Sequence, residues 1–257
     1  SVRRAFTSQI IMNHILARDG EKIDNVEQAL ERAKKNGVKE LIVQPTHLMQ
    51  GKEYDELKET LDKHKADFAK VALAEPLLGE VGKDAEEINA DKEQVATGLG
   101  QGAVTDGGFD SVQKAGQEGA AFVFLGHGTS HTAAITYSEM QTAMRKLGYN
   151  NVFIGTVEGE PAETAVDAVI EAVKKAGFKK VTLRPMMVVA GDHAHNDMAG
   201  AEEDSWVQKF VASKNFDRVE TQILGLGGIA DLEKIYAAHT PAALDPAEGK
   251  TAESGAG

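Results

Sequence analysis

The chain has 257 residues, 42% of them hydrophobic but only 5% aromatic, with a formal net charge of −12 and no cysteine. That length suits one large α/β domain or two small ones around a core of Ala, Val, Leu and Ile. The lack of cysteine excludes disulfides, thiolate metal ligands and cysteine nucleophiles. The acidic balance argues against a nucleic-acid partner, and no apolar run approaches the roughly 20 residues that a membrane span needs.

Any metal site must therefore be built from nitrogen and oxygen donors. No signal-peptide pattern opens the sequence, and the expected compartment is the cytoplasm. Ser1 has no Met before it, so a start inside a longer chain is an open alternative.

In chain order, VRRAF (2–6) reads as a short strand. Thr7 or Ser8 can cap a helix over 9–18, since a hydroxyl oxygen accepts from free amides at a helix start. Asn25 can cap a second helix that Gly37 stops. VKELIVQ (38–44) is a strand, PTHLMQGKEY (45–54) a loop carrying His47, and a helix to about Lys65 precedes a strand within KVALAEPLL (70–78). Helix and strand alternating in this way imply parallel βαβ units.

Residues 79–119 are polar and glycine-rich, with one amphipathic helix expected over 84–97 and a flexible crossover after it, through GLGQGAVTDGG (98–108). The boundary between an N-terminal lobe (1–119) and a C-terminal lobe (120–243) is placed where this region gives way to AAFVFL. Strands are then expected at 120–125, 151–156, 179–189 and 219–225, and helices at 132–147, 161–176, 203–214 and 229–239. The tail from Pro241 is rich in Ala, Gly and charge and is expected to be disordered, with the lobe ending at 243 and 244–257 wholly disordered.

Chemistry gathers at the ends of three of these strands. AAFVFL ends in GHGTSH with His127 and His131, VFIGT is followed by Glu158, and VTLRPMMVVA leads into GDHAHNDMAG with Asp192, His193, His195 and Asp197. Each residue has an ordinary explanation when taken alone: a hydrogen-bonded loop histidine, a helix cap at His131, a surface glutamate. Their convergence on the carboxyl edge of one parallel sheet is what points to a ligand, because that edge is where open α/β sheets bind theirs. On an extended loop the H-x-H spacing sends the two rings in opposite directions, so at most one of His193 and His195 faces the site. Imidazole suits Co²⁺, Ni²⁺, Fe²⁺ and Zn²⁺ alike, so these residue types do not name the metal. Other motifs fall away: GLGGIA (225–230) lacks G-x-G-x-x-G spacing, no Walker sequence is present, and Ser130 and Ser205 lie in no nucleophile elbow.

Residues RAFTS (4–8), THLMQGKEY (46–54), GHGTSH (126–131), GTVEGEP (155–161), RPMMVVAGDHAHNDMAG (184–200) and EDSW (203–206) carry a resemblance to the anaerobic cobalt chelatases, the sirohydrochlorin cobaltochelatases of the class II tetrapyrrole chelatase group. It runs from about residue 3 to 243. The resemblance implies two flavodoxin-like lobes with parallel sheets and a tetrapyrrole cleft between them. It also implies ATP-independent insertion of Co²⁺ into sirohydrochlorin, a step of anaerobic cobalamin synthesis. The family's metal ligands fall on His127, Glu158 and His193, which would also serve as the catalytic groups. Because both protein and substrate are acidic, local donors must meet the substrate's carboxylates: Arg3 or Arg4, Thr7, Ser8, Ser130 and backbone amides of the glycine loops are the candidates. No cofactor is implied beyond the substrate metal. Nickel or iron insertion, a non-catalytic metal or tetrapyrrole carrier, and a homo-oligomer stay open as alternatives. One departure stands out: family members open with a strand ending in a Phe-Gly-Thr-Ser loop, which this sequence lacks. In a flavodoxin-like lobe the first strand is central. Either a leading segment is missing or the lobe is rebuilt.

Overall fold

The computed structural model describes residues 2–244; Ser1 and 245–257, most of the expected tail, lie outside the described residues. The chain divides into two compact units: residues up to Pro45, Lys52–Glu75 and the chain from Ala238 form the first, and Thr46–Gly51 with Pro76–Ala237 form the second. No helix among the described residues is long and apolar enough to cross a membrane.

The first unit contains α1 (Gln9–Asp19), α2 (Val26–Lys35), β1 (Glu40–Val43), α3 (Lys52–His64) and β2 (Lys70–Leu73). Ser8 caps α1 by accepting from the Ile11 amide, and Gly20 closes it in the left-handed conformation at φ 69°. Asn25 and Gln28 form a reciprocal capping box at the start of α2, satisfying two otherwise orphaned donors. β1 and β2 pair in parallel with Glu40 opposite Lys70. Leu30, Leu57, Leu61 and Phe68 form the core, against which Leu41, Val43, Val71 and Leu73 pack. The expected strand at 2–6 is reduced to a single bridge between Phe6 and Asn25. Only Phe6 there finds a backbone partner, and a strand exists only where its neighbours take its amides and carbonyls.

The second unit holds α4 (Ala90–Gly107), α5 (Val112–Gln117), β3 (Ala120–Gly126), α6 (Ile135–Lys146), β4 (Val152–Thr156), α7 (Val166–Lys175), β5 (Lys180–Pro185), α8 (Trp206–Ala212), β6 (Arg218–Thr221) and α9 (Ala230–Ala242). The residues of α9 from Ala238 count with the first unit. The four strands run parallel in the order β4-β3-β5-β6. As the first to fourth strands of this unit, they lie in the order second, first, third, fourth, which is the flavodoxin-like arrangement. β3 is buried along its whole length. Its alternate residues feed two cores: Ala120, Phe122 and Phe124 enter the one built on α4 and α6. Ala121, Val123 and Leu125 enter the one that includes Val169, Val173, Trp206 and Phe210. A parallel strand covered on both faces must be apolar throughout, and this one is.

Three expectations need correction. The boundary near 119 lies inside the second unit, because α4 and α5 contribute Val95, Leu99, Val112 and Ala115 to the same core as Phe122 and Phe124. The glycine-rich stretch 98–108 is not a loop but mostly helix. A Cβ on Gly98 would stand 3.0 Å from Leu232, and one on Gly100 only 2.7 Å from Tyr149, so the glycines allow close packing of α4. Pro241 does not begin the tail, since α9 continues through it to Ala242.

A buried ion pair fastens α4. Lys92 and Glu139 are 1% and 0% exposed with Nζ 3.1 Å from Oε2. Lys92 Nζ also donates to the carbonyls of Leu78 (3.1 Å) and Glu80 (2.6 Å), and Glu139 Oε1 accepts from the Gly82 amide (2.7 Å). Lys92→Met would strand the Glu139 carboxylate in the core and remove the donor to two carbonyls. It should destabilise the unit by ~3–5 kcal/mol in urea unfolding; a loss below ~1 kcal/mol would show that the pair does not hold α4 in place.

Candidate metal centre

In the second unit the chain leaves β3 toward β4 on one side and returns past it to β5 on the other. The neighbouring carboxyl ends of β3 and β5 therefore form the topological switch point, where the connections diverge and leave a crevice. His127 follows β3 directly, and His193 follows β5 by eight residues.

Tight local packing fixes the His127 loop. Gly126 has no space for a side chain, since a Cβ would come within 2.3 Å of the Tyr137 ring. The Tyr137 hydroxyl accepts from the Gly128 amide at 3.0 Å. Gly128 sits at φ 95°, and a Cβ there would press on Glu158 and Thr156 at 3.0 and 3.1 Å, so only glycine fits. The β3–β4 ladder continues past both strands: Val157 N donates to Gly126 O (3.0 Å) and Glu158 N to His127 O (2.9 Å). That last bond sets Glu158 beside His127, with Oε1 3.6 Å from Nδ1. The turn is braced below by Thr156 and Thr164, whose hydroxyls meet at 2.6 Å.

The stretch expected to be an extended loop is instead a π-helix, His193–Met198. Ala194 and Met198 are fully buried and anchor it to the core beneath. His193 and Asp197, also four residues apart, lie together on the exposed side, with Nδ1 2.6 Å from Oδ2. The His193 ring meets the His127 ring edge to face, with centroids 4.3 Å apart. His195 turns to its own backbone, Nδ1 donating to Gly191 O at 3.0 Å. So the two histidines do part company, but through helical winding and not through the alternation of an extended chain.

His127, Glu158, His193 and Asp197 are each about half exposed, at 45, 52, 49 and 43% of their side-chain surface. The rings of His127 and His193 are adjacent, and Glu158 flanks His127. Among the described residues, however, no three His, Asp or Glu side chains are arranged as a ready-made ion site. The Nδ1 atoms of His127 and His193 are engaged by Gly128 O (3.0 Å) and Asp197, leaving Nε2 as the possible metal-donor atom on each ring. Two imidazole nitrogens and a nearby carboxylate can hold a divalent ion loosely, with positions left for solvent or substrate.

The remaining sequence candidates are dispersed. His131 caps a short 3₁₀ turn by accepting from Ala133 N at 3.1 Å. Ser130 is exposed three residues beyond His127. Thr7 and Ser8 are exposed in the first unit, where Ser8 serves as the α1 cap. Sequence reasoning missed Tyr137, whose helical position gives no sign that it supports the Gly128 amide. It noticed Asp197 without assigning it a partner.

Gly126→Ala should push the Tyr137 ring aside and cost ~1–3 kcal/mol in urea unfolding. Tyr137→Phe removes only the hydroxyl acceptor and should cost ~1 kcal/mol. Equal stability of Gly126→Ala and wild type would mean that the ring is not packed against this strand end.

Comparison with known proteins agrees with this architecture. The model of the cobalt chelatase (CbiK) family matches residues 1–245. The sirohydrochlorin cobaltochelatase of Salmonella typhimurium is 31% identical over 247 residues, 95% of this chain and 83% of the relative. The sirohydrochlorin cobaltochelatase CbiKC of Nitratidesulfovibrio vulgaris is 37% identical over 93 residues, 36% of this chain and 32% of the relative. Among solved structures, SirB from Bacillus subtilis with Fe³⁺ superposes with a TM-score of 0.58 at 14% identity, covering 94% of this chain and 90% of that one, a likeness of fold. With the family model spanning nearly the full sequence and a relative matched over 95% of this chain, the chain belongs to the cobalt chelatase (CbiK) family.

Proposed function

We propose that this protein inserts Co²⁺ into sirohydrochlorin without ATP, with His127, Glu158 and His193 handling the metal. The observation that carries the reading is the meeting of His127 and His193 at the switch point of the second unit, ring against ring at 4.3 Å. The reaction exchanges two pyrrole protons for one divalent cation, so charge balances without an energy-rich cofactor. The two Nε2 atoms would present the ion to the macrocycle. Their half-exposed setting suits a metal that must be given up, where a closed four-ligand site would retain it. Glu158 would offset the metal's charge from beside His127 and help take up a released proton. All three groups come from one chain, so a second copy is not required to complete the set.

Substrate capture needs local donors, because a polycarboxylate ligand and an acidic protein repel at long range. The Ser130 hydroxyl, close in sequence to His127, is assigned to one substrate carboxylate.

Nickel or iron insertion is the second reading, favoured by the chemistry of the donors themselves: imidazole and carboxylate do not discriminate sharply among these ions. Spectroscopic insertion assays with Co²⁺, Ni²⁺ and Fe²⁺ in parallel rank the metals. Binding of metal and tetrapyrrole without turnover would instead identify a carrier. In the same assay His193→Ala should lower insertion by ~10²-fold or more while tetrapyrrole binding survives. His195→Ala should keep substantial activity. Glu158→Gln should show a defect that eases as cobalt is raised. Wild-type activity of His193→Ala at limiting cobalt would overturn the assignment.

A further inference from the structure

His193, His127 and His195 all have Nδ1 bound, but to partners of different kinds. For His127 and His195 the partner is a backbone carbonyl, Gly128 O and Gly191 O, each at 3.0 Å. For His193 it is the Asp197 carboxylate at 2.6 Å. A carbonyl or an ionised carboxylate can only accept, so each Nδ1 carries the proton and each Nε2 carries the lone pair. The bond to Asp197 is charge-assisted, and such bonds are shorter and stronger than neutral ones.

The backbone is shaped to make this pair. The widened turn is marked by Ala199 N donating to Ala194 O, five residues back, at 3.2 Å. Ala194 and Met198 fill the core side of that turn. His193 and Asp197 are thereby stacked on its outer side, next to the His127 ring. Local widening of a helix into a π-turn is a recurrent feature of functional sites.

From this geometry we infer that Asp197 is a positioning residue for metal delivery: it locks the His193 ring and its Nδ1–H tautomer so that Nε2 faces the incoming ion. The inference rests on the reading of His193 as a metal ligand. It makes the two imidazoles unequal. His193, polarised by a carboxylate, is the stronger donor and the anchoring ligand. His127, hydrogen-bonded to a carbonyl and with the Glu158 carboxylate farther off at 3.6 Å, is the weaker one and the side from which cobalt passes to the macrocycle. Outer-shell carboxylates that orient ligating histidines carry a known share of metal affinity.

The test uses the full chain in two measurements. Nitrogen-15 spectra of the metal-free protein, labelled in histidine, should show His193 protonated at Nδ1. In Asp197→Asn a share of His193 should move to the Nε2–H form, since an amide can donate to Nδ1 as readily as accept from it. The His195 signals should stay in place, reporting an intact loop. Titration with Co²⁺ alone, followed by its visible absorption, should show ~10–100-fold weaker binding in both Asp197→Asn and Asp197→Ala. Wild-type His193 found protonated at Nε2 would overturn the inference, as would wild-type cobalt affinity in both variants. His193→Ala separates the two levels. If it binds cobalt as wild type does, the ligand reading fails and this inference with it. If it loses cobalt while the Asp197 variants do not, only the role of Asp197 fails.

Discussion

The pairing of β3 with β4 on one side and β5 on the other is the constraint from which the second unit follows. Five residue pairs join β3 to β4 and six join it to β5, all parallel. Being central, β3 must be covered on both faces, and its Ala120–Gly126 side chains divide between two cores accordingly. Being the strand from which the chain departs one way and past which it returns the other, it leaves its carboxyl end uncovered. The same ladder, continued by two further bonds, puts the Glu158 backbone against that of His127. The placement of His127 and Glu158 side by side is thus a consequence of strand order.

A chelatase faces a requirement that a structural metal protein does not. It must gather an ion from dilute solution and then lose it to a stronger ligand. The proposed site would meet both sides of that compromise. Its rings come from a loop and a π-helix, with each Nδ1 hydrogen-bonded and neither ring enclosed. Glu158 lies just outside hydrogen-bond reach of His127 and stays half exposed, so its charge acts at a distance softened by solvent.

Much of this was legible in the amino-acid sequence. AAFVFL and VTLRP read as doubly buried strands because parallel strands are apolar on both faces, and the side chains that follow such runs fall at the sheet's carboxyl edge. What could not be read was anything decided by tertiary contact. Lys92 reads as a surface residue on an amphipathic helix, yet it lies in the core beside Glu139. Gly98, Gly100 and Gly102 read as loop residues, yet they lie in α4, where Leu232, Tyr149 and Arg184 occupy the space their side chains would need. The π-turn at His193–Met198 breaks no rule of composition that would have announced it. The division of the chain at 45/46, 51/52, 75/76 and 237/238 has no compositional signature either, since it reflects which core each segment joins.

The makeup of α4 bears on the order in which the chain can be built. A glycine costs a helix up to ~1 kcal/mol relative to alanine, and in proteins most helical stability comes from tertiary packing. α4 therefore borrows its stability from residues made after it: Glu139 on α6, Tyr149 in the turn before β4, Arg184 on β5, and finally Leu232 on α9. As the nascent polypeptide leaves the ribosome, this segment emerges well ahead of those partners. Its packed surroundings are complete only once α9 has been made.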